Sequence, residues 1–186
     1  MHIPFLASCM LAAVLGGALA QTPAQNPAPQ PTVLEPSVKI NGITVTHSGS
    51  FTGPSTSRLA EAGQDSPTHT VGTLAHWNFI SDSANVDGKV GRQFGIEFRL
   101  DGEPADAPVT LHVALSFPPQ GIRNPNTGAK METARIAFPD MKIGALCLVG
   151  YGFDNAWEIV PGEWKIEIIY HDGSLAERTF TVTRPE

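Results

Sequence analysis

Trp164-Lys165-Ile166-Glu167-Ile168-Ile169-Tyr170 is the stretch on which the fold turns. Trp164, Ile166, Ile168 and Tyr170 fall on one side of it, with Lys165 and Glu167 on the other. Strand side chains project to opposite faces with a period of two, so this pattern predicts a strand with one buried face. Pro161-Gly162 marks a turn before it, and Asp172-Gly173 turns the chain after it. The return strand runs through Ala176 to Val182, with Phe180 and Val182 on one face and Thr179, Thr181 and Thr183 on the other.

The same period recurs upstream. Gln93 to Leu100 places Phe94, Ile96, Phe98 and Leu100 on one face and Gln93, Gly95, Glu97 and Arg99 on the other. Val109 to Phe117 places Val109, Leu111, Val113, Leu115 and Phe117 inward. Asp101-Gly102-Glu103-Pro104 is read as the turn between them, and Pro118-Pro119 ends the second. Ala134 to Phe138 is a shorter strand. Gly144 to Phe153 is apolar without interruption, which predicts a strand covered on both faces. Asp87-Gly88 is a turn, and Thr70 to Ile80 is β-rich. Asn41-Gly42 between Val38–Ile40 and Ile43–Val45 predicts a two-residue hairpin. His47 to Pro67, rich in Ser, Thr and Gly, reads as a long surface excursion with one helical turn at Arg58 to Ala62. No amphipathic helix competes with these strands, so the chain is predicted to be all-β, an antiparallel sandwich of about seven or eight strands.

Composition agrees. Charged residues are 16% of the 186, against about 25% in an average soluble protein. Glycine (18) and proline (16) are plentiful, as strands joined by turns require. The net charge is −6 and no run of Lys and Arg occurs, which disfavours a nucleic-acid partner.

Residues 1–20 read as a signal peptide. Ile3 to Ala20 is almost wholly apolar, and Ala18-x-Ala20 is the small-residue pattern of a cleavage site. An uncleaved anchor is the alternative; the apolar stretch is barely long enough to span a bilayer. Leu6-Ala7-Ser8-Cys9 matches a lipoprotein cleavage pattern, but only eight residues precede the cysteine and none is Lys or Arg. Residues 21–32 (QTPAQNPAPQPT) hold no charge and no large apolar group, and predict a flexible tether. The sandwich is assigned to 33–186. Cleavage after Ala20 leaves Cys147 as the one remaining cysteine, with no intramolecular disulfide and a buried, inert thiol expected. A periplasmic or secreted protein with no membrane span after cleavage follows.

Phe153-Asp154-x-x-Trp157-Glu158-Ile159-Val160-Pro161-Gly162-Glu163-Trp164 is distinctive, and Gly91-x-x-Phe94-Gly95-Ile96 with Gly102 accompanies it. Together they resemble a family of exported bacterial proteins known only as a domain of unknown function. The similarity spans roughly Val38 to Val182, and its most specific part is the C-terminal Pro-Gly-x-Trp hairpin. It implies export and an immunoglobulin-like β-sandwich, and it brings over no catalytic or ligand residue.

The residues themselves offer little chemistry. No Gly-x-Ser-x-Gly occurs; Ser48, Ser50, Ser55 and Ser57 beside His47 read as loop residues. His47, His69, His76, His112 and His171 form no ligand motif, although His76 and His112 fall on strand candidates and could meet across a sheet. Asp154, Glu158 and Glu163 lie near Trp157 and Trp164, a superficial sugar-site pattern. Trp164 is expected in the core, and Trp157 is the one possible ligand contact. No catalytic, metal or cofactor residue is assigned. The reading is an exported non-catalytic binding or assembly module with an unknown protein or envelope partner, working through its end loops (Ser48 to Pro67, Gln120 to Lys130) or an uncovered sheet edge. The alternative is a carbohydrate-binding protein using Trp157.

Overall fold

The structure is a computed structural model and describes residues 37–59, 66–68 and 70–184. The expected signal peptide (1–20) and tether (21–32) lie outside these residues, as does the second half of the expected helical turn.

The described residues form β1 (Lys39–Thr52), β2 (Ser55–Leu59), β3 (Thr70–Leu74), β4 (Asn78–Ser81), β5 (Asn85–Asp87), β6 (Gln93–Glu103), β7 (Pro108–Ser116), β8 (Ile122–Arg123), β9 (Lys130–Met131), β10 (Thr133–Lys142), β11 (Leu146–Gly152), β12 (Gly162–Tyr170) and β13 (Gly173–Thr183), with one 3₁₀ turn at Ala156–Glu158. Two sheets make the sandwich. One has the order β11-β6-β1-β4 and the other β10-β7-β12-β13-β5. The pairs β2–β3 and β8–β9 form separate short ribbons.

The alternating strands bury the faces predicted for them. Phe94, Ile96, Phe98 and Leu100 of β6 meet Leu111, Val113 and Leu115 of β7, Ile166 and Ile168 of β12, and Phe180 and Val182 of β13, all buried. Trp164 is 1% exposed and closes one end of this core. Its ring packs edge-on against Phe94 (5.7 Å between centroids), Phe117 (5.0 Å) and Phe153 (5.4 Å). Its indole N–H donates to the Val160 carbonyl at 2.8 Å, so the one polar atom on this large side chain is satisfied.

Several expectations need correction. Asn41-Gly42 makes no hairpin. β1 runs through it and pairs with β6 from Lys39↔Glu103 to Phe51↔Gln93, with register shifts at Ile40/Gly42 and Val45/His47. The dipeptide serves as an irregularity in a long strand, because two short flanking runs make a poor hairpin when an eleven-residue partner is available. The excursion expected from His47 begins as strand: Ser50 and Phe51 are buried in β1. Ser55–Leu59 is a strand where a helical turn at Arg58 was expected. The turn read at Asp101 to Pro104 starts later, since β6 extends through Glu103. More strands exist than the seven or eight expected, as β2, β5, β8 and β9 are too short to show a period. One pairing, β13 with β5, is parallel, and it buries Val86 completely.

The correction that matters most for function concerns β11. Its apolar run was expected to be covered on both faces. Among the described residues it stands at the edge of its sheet, paired with β6 alone, and its second face is only partly covered. Cys147 and Val149 point into the sandwich and are buried, whereas Leu146 on the other face is 43% exposed.

Candidate functional site

The sandwich is open along the side where β11 ends one sheet and β10 ends the other. A cleft of about 560 Å³ occupies that opening. Every residue from Ala145 to Gly152 lines it. A pocket lying on one face of a strand touches alternate residues. Consecutive lining means that this cleft runs along the strand's backbone edge. Ile136, Phe138 and Met141 of β10 form the opposite wall, and Val71 and Leu74 of the β2–β3 ribbon form the roof.

Three polar contacts hold the roof and its flanks. Trp77, just after β3, donates its indole N–H to Glu97 Oε2 at 2.7 Å, and Thr46 donates to Oε1 at 2.6 Å. Glu97 is therefore buried on the outer face of β6 with both oxygens engaged. On the other flank, Asn124 donates its side-chain N–H to the Pro67 carbonyl at 3.0 Å, tying the Ser66–Thr68 segment to the β8–β9 loop. Under the roof, Gly95 of β6 faces both Gly49 of β1 and Gly150 of β11. A Cβ at Gly95 would run into the Val149 carbonyl, and one at Gly150 into the Phe94 carbonyl, so both positions need the bare backbone. Gln93 also lines the cleft. Its Nε2 reaches the Gly53 carbonyl at 3.5 Å, and its Oε1 is buried with no partner.

At the Gly152 end sit Asp154 and Glu158. Glu158 is 1% exposed. The Tyr151 hydroxyl donates to its Oε2 at 2.6 Å, and the Asn155 backbone and side-chain N–H groups donate to Oε1 at 2.7 and 2.8 Å. Burial raises the Glu158 carboxyl above the ordinary 4.5; these donors pull the other way, and the charge on Asp154 adds to the rise. The Tyr151 phenol is pushed well above its ordinary value, chiefly by burial, and stays a donor.

This yields a stability prediction. A carboxyl that holds its proton more tightly folded than unfolded stabilises the fold below the ordinary glutamate value, and that contribution is lost as pH rises through the folded value. Glu158→Gln keeps the shape and can donate to the Tyr151 oxygen while accepting from Asn155. The stability difference, wild type minus Glu158→Gln, should therefore fall as pH climbs upward from about 4.5. Urea melts of both proteins at a series of pH values measure it, and a difference that grows with pH contradicts the assignment.

The other sequence candidates are dispersed. Trp157 lies in the 3₁₀ turn, half-buried, and lines a shallow hollow of about 310 Å³ with Gln120, Arg123 and Arg184. Glu163 sits on the exposed face of β12, apart from Asp154 and Glu158. His76 is exposed in the link before β4, while His112 is on the outer face of β7 in the other sheet, so the two do not meet. The His47 ring bonds Asp82 at 2.9 Å and stacks on Phe79 at 5.1 Å, and Ser50 points inward with Phe94. Cys147 lines the cleft but is 6% exposed, and burial pushes its thiol up. Among the described residues no three His, Cys, Asp or Glu side chains cluster as metal ligands, and no helix is long and apolar enough to cross a membrane.

Sequence reasoning missed the cleft. Its one signal was Leu146 and Leu148, apolar residues on the second face of β11.

No family model matches the chain, and no curated protein matches it. Among solved structures it is similar to an immunoglobulin-like protein from Pseudomonas aeruginosa, at 22% identity over 79% of this chain and 97% of that one, with a TM-score of 0.52. With the two packed sheets, that likeness makes the fold an immunoglobulin-like β-sandwich.

Proposed function

We propose that this is an exported, non-catalytic binding module whose ligand site is the cleft between β10 and β11. The observation that carries it is the cleft itself. Its volume of about 560 Å³ falls in the range of ligand sites, roughly 300–1,000 Å³. Its walls carry Val71, Leu74, Ile136, Phe138, Met141 and Leu148, and charged groups flank it at both ends, Asp140 and Lys142 at one and Asp154 at the other. Its roof is pinned by Trp77 and Asn124, which gives a bound molecule a preformed enclosure. Export rests on the apolar segment ending at Ala18-x-Ala20 and on the resemblance of Phe153 to Trp164 to an exported bacterial family.

Nile red, a neutral apolar probe, tests the site. The folded chain should bind it saturably, and Leu148→Asp should abolish the signal. Ile80→Asp, on the 57% exposed Ile80 of β4, should leave it unchanged. Equal binding by wild type and Leu148→Asp removes the cleft from consideration. Recovery of the chain from the cytosol on cell fractionation removes export.

Carbohydrate binding at Trp157 is the second reading. Its support is a half-exposed ring in a hollow beside Gln120, Arg123 and Arg184, groups able to hydrogen-bond hydroxyls. A glycan array comparing wild type with Trp157→Ala decides it: no binding by the wild type discards the idea.

A further inference from the structure

We infer that the occupant of the cleft is an extended apolar peptide segment of another protein, added as a strand to β11. The inference rests on the binding reading above and names what is bound.

The first argument is the edge. Among the described residues β11 pairs on one side only, and the cleft touches every one of its residues from Leu146 to Gly152. What fills such a space meets backbone N–H and C=O groups at a regular spacing, and an added strand satisfies them in register. A lipid chain could fill the volume but would leave those groups unpaired. β11 has seven residues, about 23 Å at ~3.3 Å per residue, which sets the length of segment that pairs fully.

The second argument is the character of the two walls. A strand continuing this sheet would send alternate side chains toward Ile136, Phe138 and Met141 on one side and toward Val71 and Leu74 on the other. Both sides offer apolar groups there, with Asp140 and Lys142 beyond them on β10, so the segment is apolar at consecutive positions over that stretch, as strands buried on two faces are. Gln93 Oε1, buried beside the Gly152 end, is an acceptor awaiting a donor.

The third argument is charge. Lys142 is the one cation among the described lining residues, and Asp140 lies two positions from it. Asp154, exposed at the other end, faces no cation among the described lining residues; Glu158 beside it is buried and already bonded by Tyr151 and Asn155. A segment carrying Lys or Arg at that end complements Asp154.

The test uses a fluorescein-labelled heptapeptide, Lys-Val-Ile-Ala-Val-Leu-Lys, and a twin N-methylated at every residue. The twin keeps the side chains and loses the strand donors. The plain peptide should bind the folded chain, the twin at least tenfold more weakly. Leu148→Asp should weaken the plain peptide at least tenfold and Ile80→Asp should not. Binding of the twin within twofold of the plain peptide overturns strand addition while leaving the cleft a binding site. So does binding of Nile red or hexadecanoate with no binding of the peptide. Failure of peptide, hexadecanoate and Nile red alike overturns both readings. A dimer in sedimentation that Leu148→Asp dissociates overturns the foreign partner in favour of a second copy.

Discussion

Trp164→Ala should destabilise the domain by about 3–5 kcal/mol, the range for large buried aromatics. Shortening the side chain leaves Phe94, Phe117, Tyr151 and Phe153 facing a void, since all four pack against the indole. The Val160 carbonyl loses its donor as well. Domains of this size have a total stability of roughly 5–15 kcal/mol, so the variant is folded but marginal. At about 2–4 °C per kcal/mol, its melting point should drop by roughly 6–20 °C. Thermal and urea melts give the number. A loss below about 1 kcal/mol would mean that the indole does not fill this end of the core.

Gly95→Val should cost about 3 kcal/mol, at the upper end of what forced overpacking does. The new Cβ meets the Val149 carbonyl oxygen and comes within 2.7 Å of the Gly150 Cα. Both are backbone, and neither can rotate away as a flexible side chain does. The sheet can relieve the clash only by parting β6 from β11. Stability and Nile red binding should therefore fall together, whereas Leu148→Asp should remove binding with a much smaller stability change. If Gly95→Val binds and melts like the wild type, the close approach of these two strands is wrong.

Different parts of the molecule were legible to different degrees. β7, β12 and β13 could be read residue by residue, because each has one wet face and one dry face and the alternation records it; β6 alternates in the same way, although Gly95 and Glu97 on its polar face are buried. β1 was misread at both ends for a common reason. Asn41-Gly42 and the Ser/Gly-rich stretch from Ser48 carry turn chemistry. Their pairing with β6, some fifty residues away, is a long-range fact that local composition does not hold. β5 was invisible because three residues show no period, and its partner β13 lies at the far end of the chain.

The cleft was illegible for a further reason. Its walls come from β2–β3, β10 and β11, and nothing local says that β10 and β11 both end their sheets. The run from Gly144 to Phe153 did carry half of the information, namely that both faces of this strand meet something apolar. It could not say whether that something belongs to the protein. Glu158 was noticed beside Trp157 as part of a sugar-site pattern. Its actual partners, the Tyr151 hydroxyl and Asn155, turn it into a buried brace at the cleft's end.

The parallel contact between β5 and β13 bears on how the chain reaches this form. Val86 has no partner strand until the last one is in place, and β1 must wait for β6. The four-stranded sheet is complete in the chain by Gly152, whereas the five-stranded one lacks two of its strands until the last hairpin, β12–β13, is made. Assembly is then governed by closures between distant segments, which puts folding on a timescale of roughly milliseconds to seconds. Through that interval the apolar residues of β11 stand bare, so the stretch that would capture a guest strand is also where two immature copies would cling to each other.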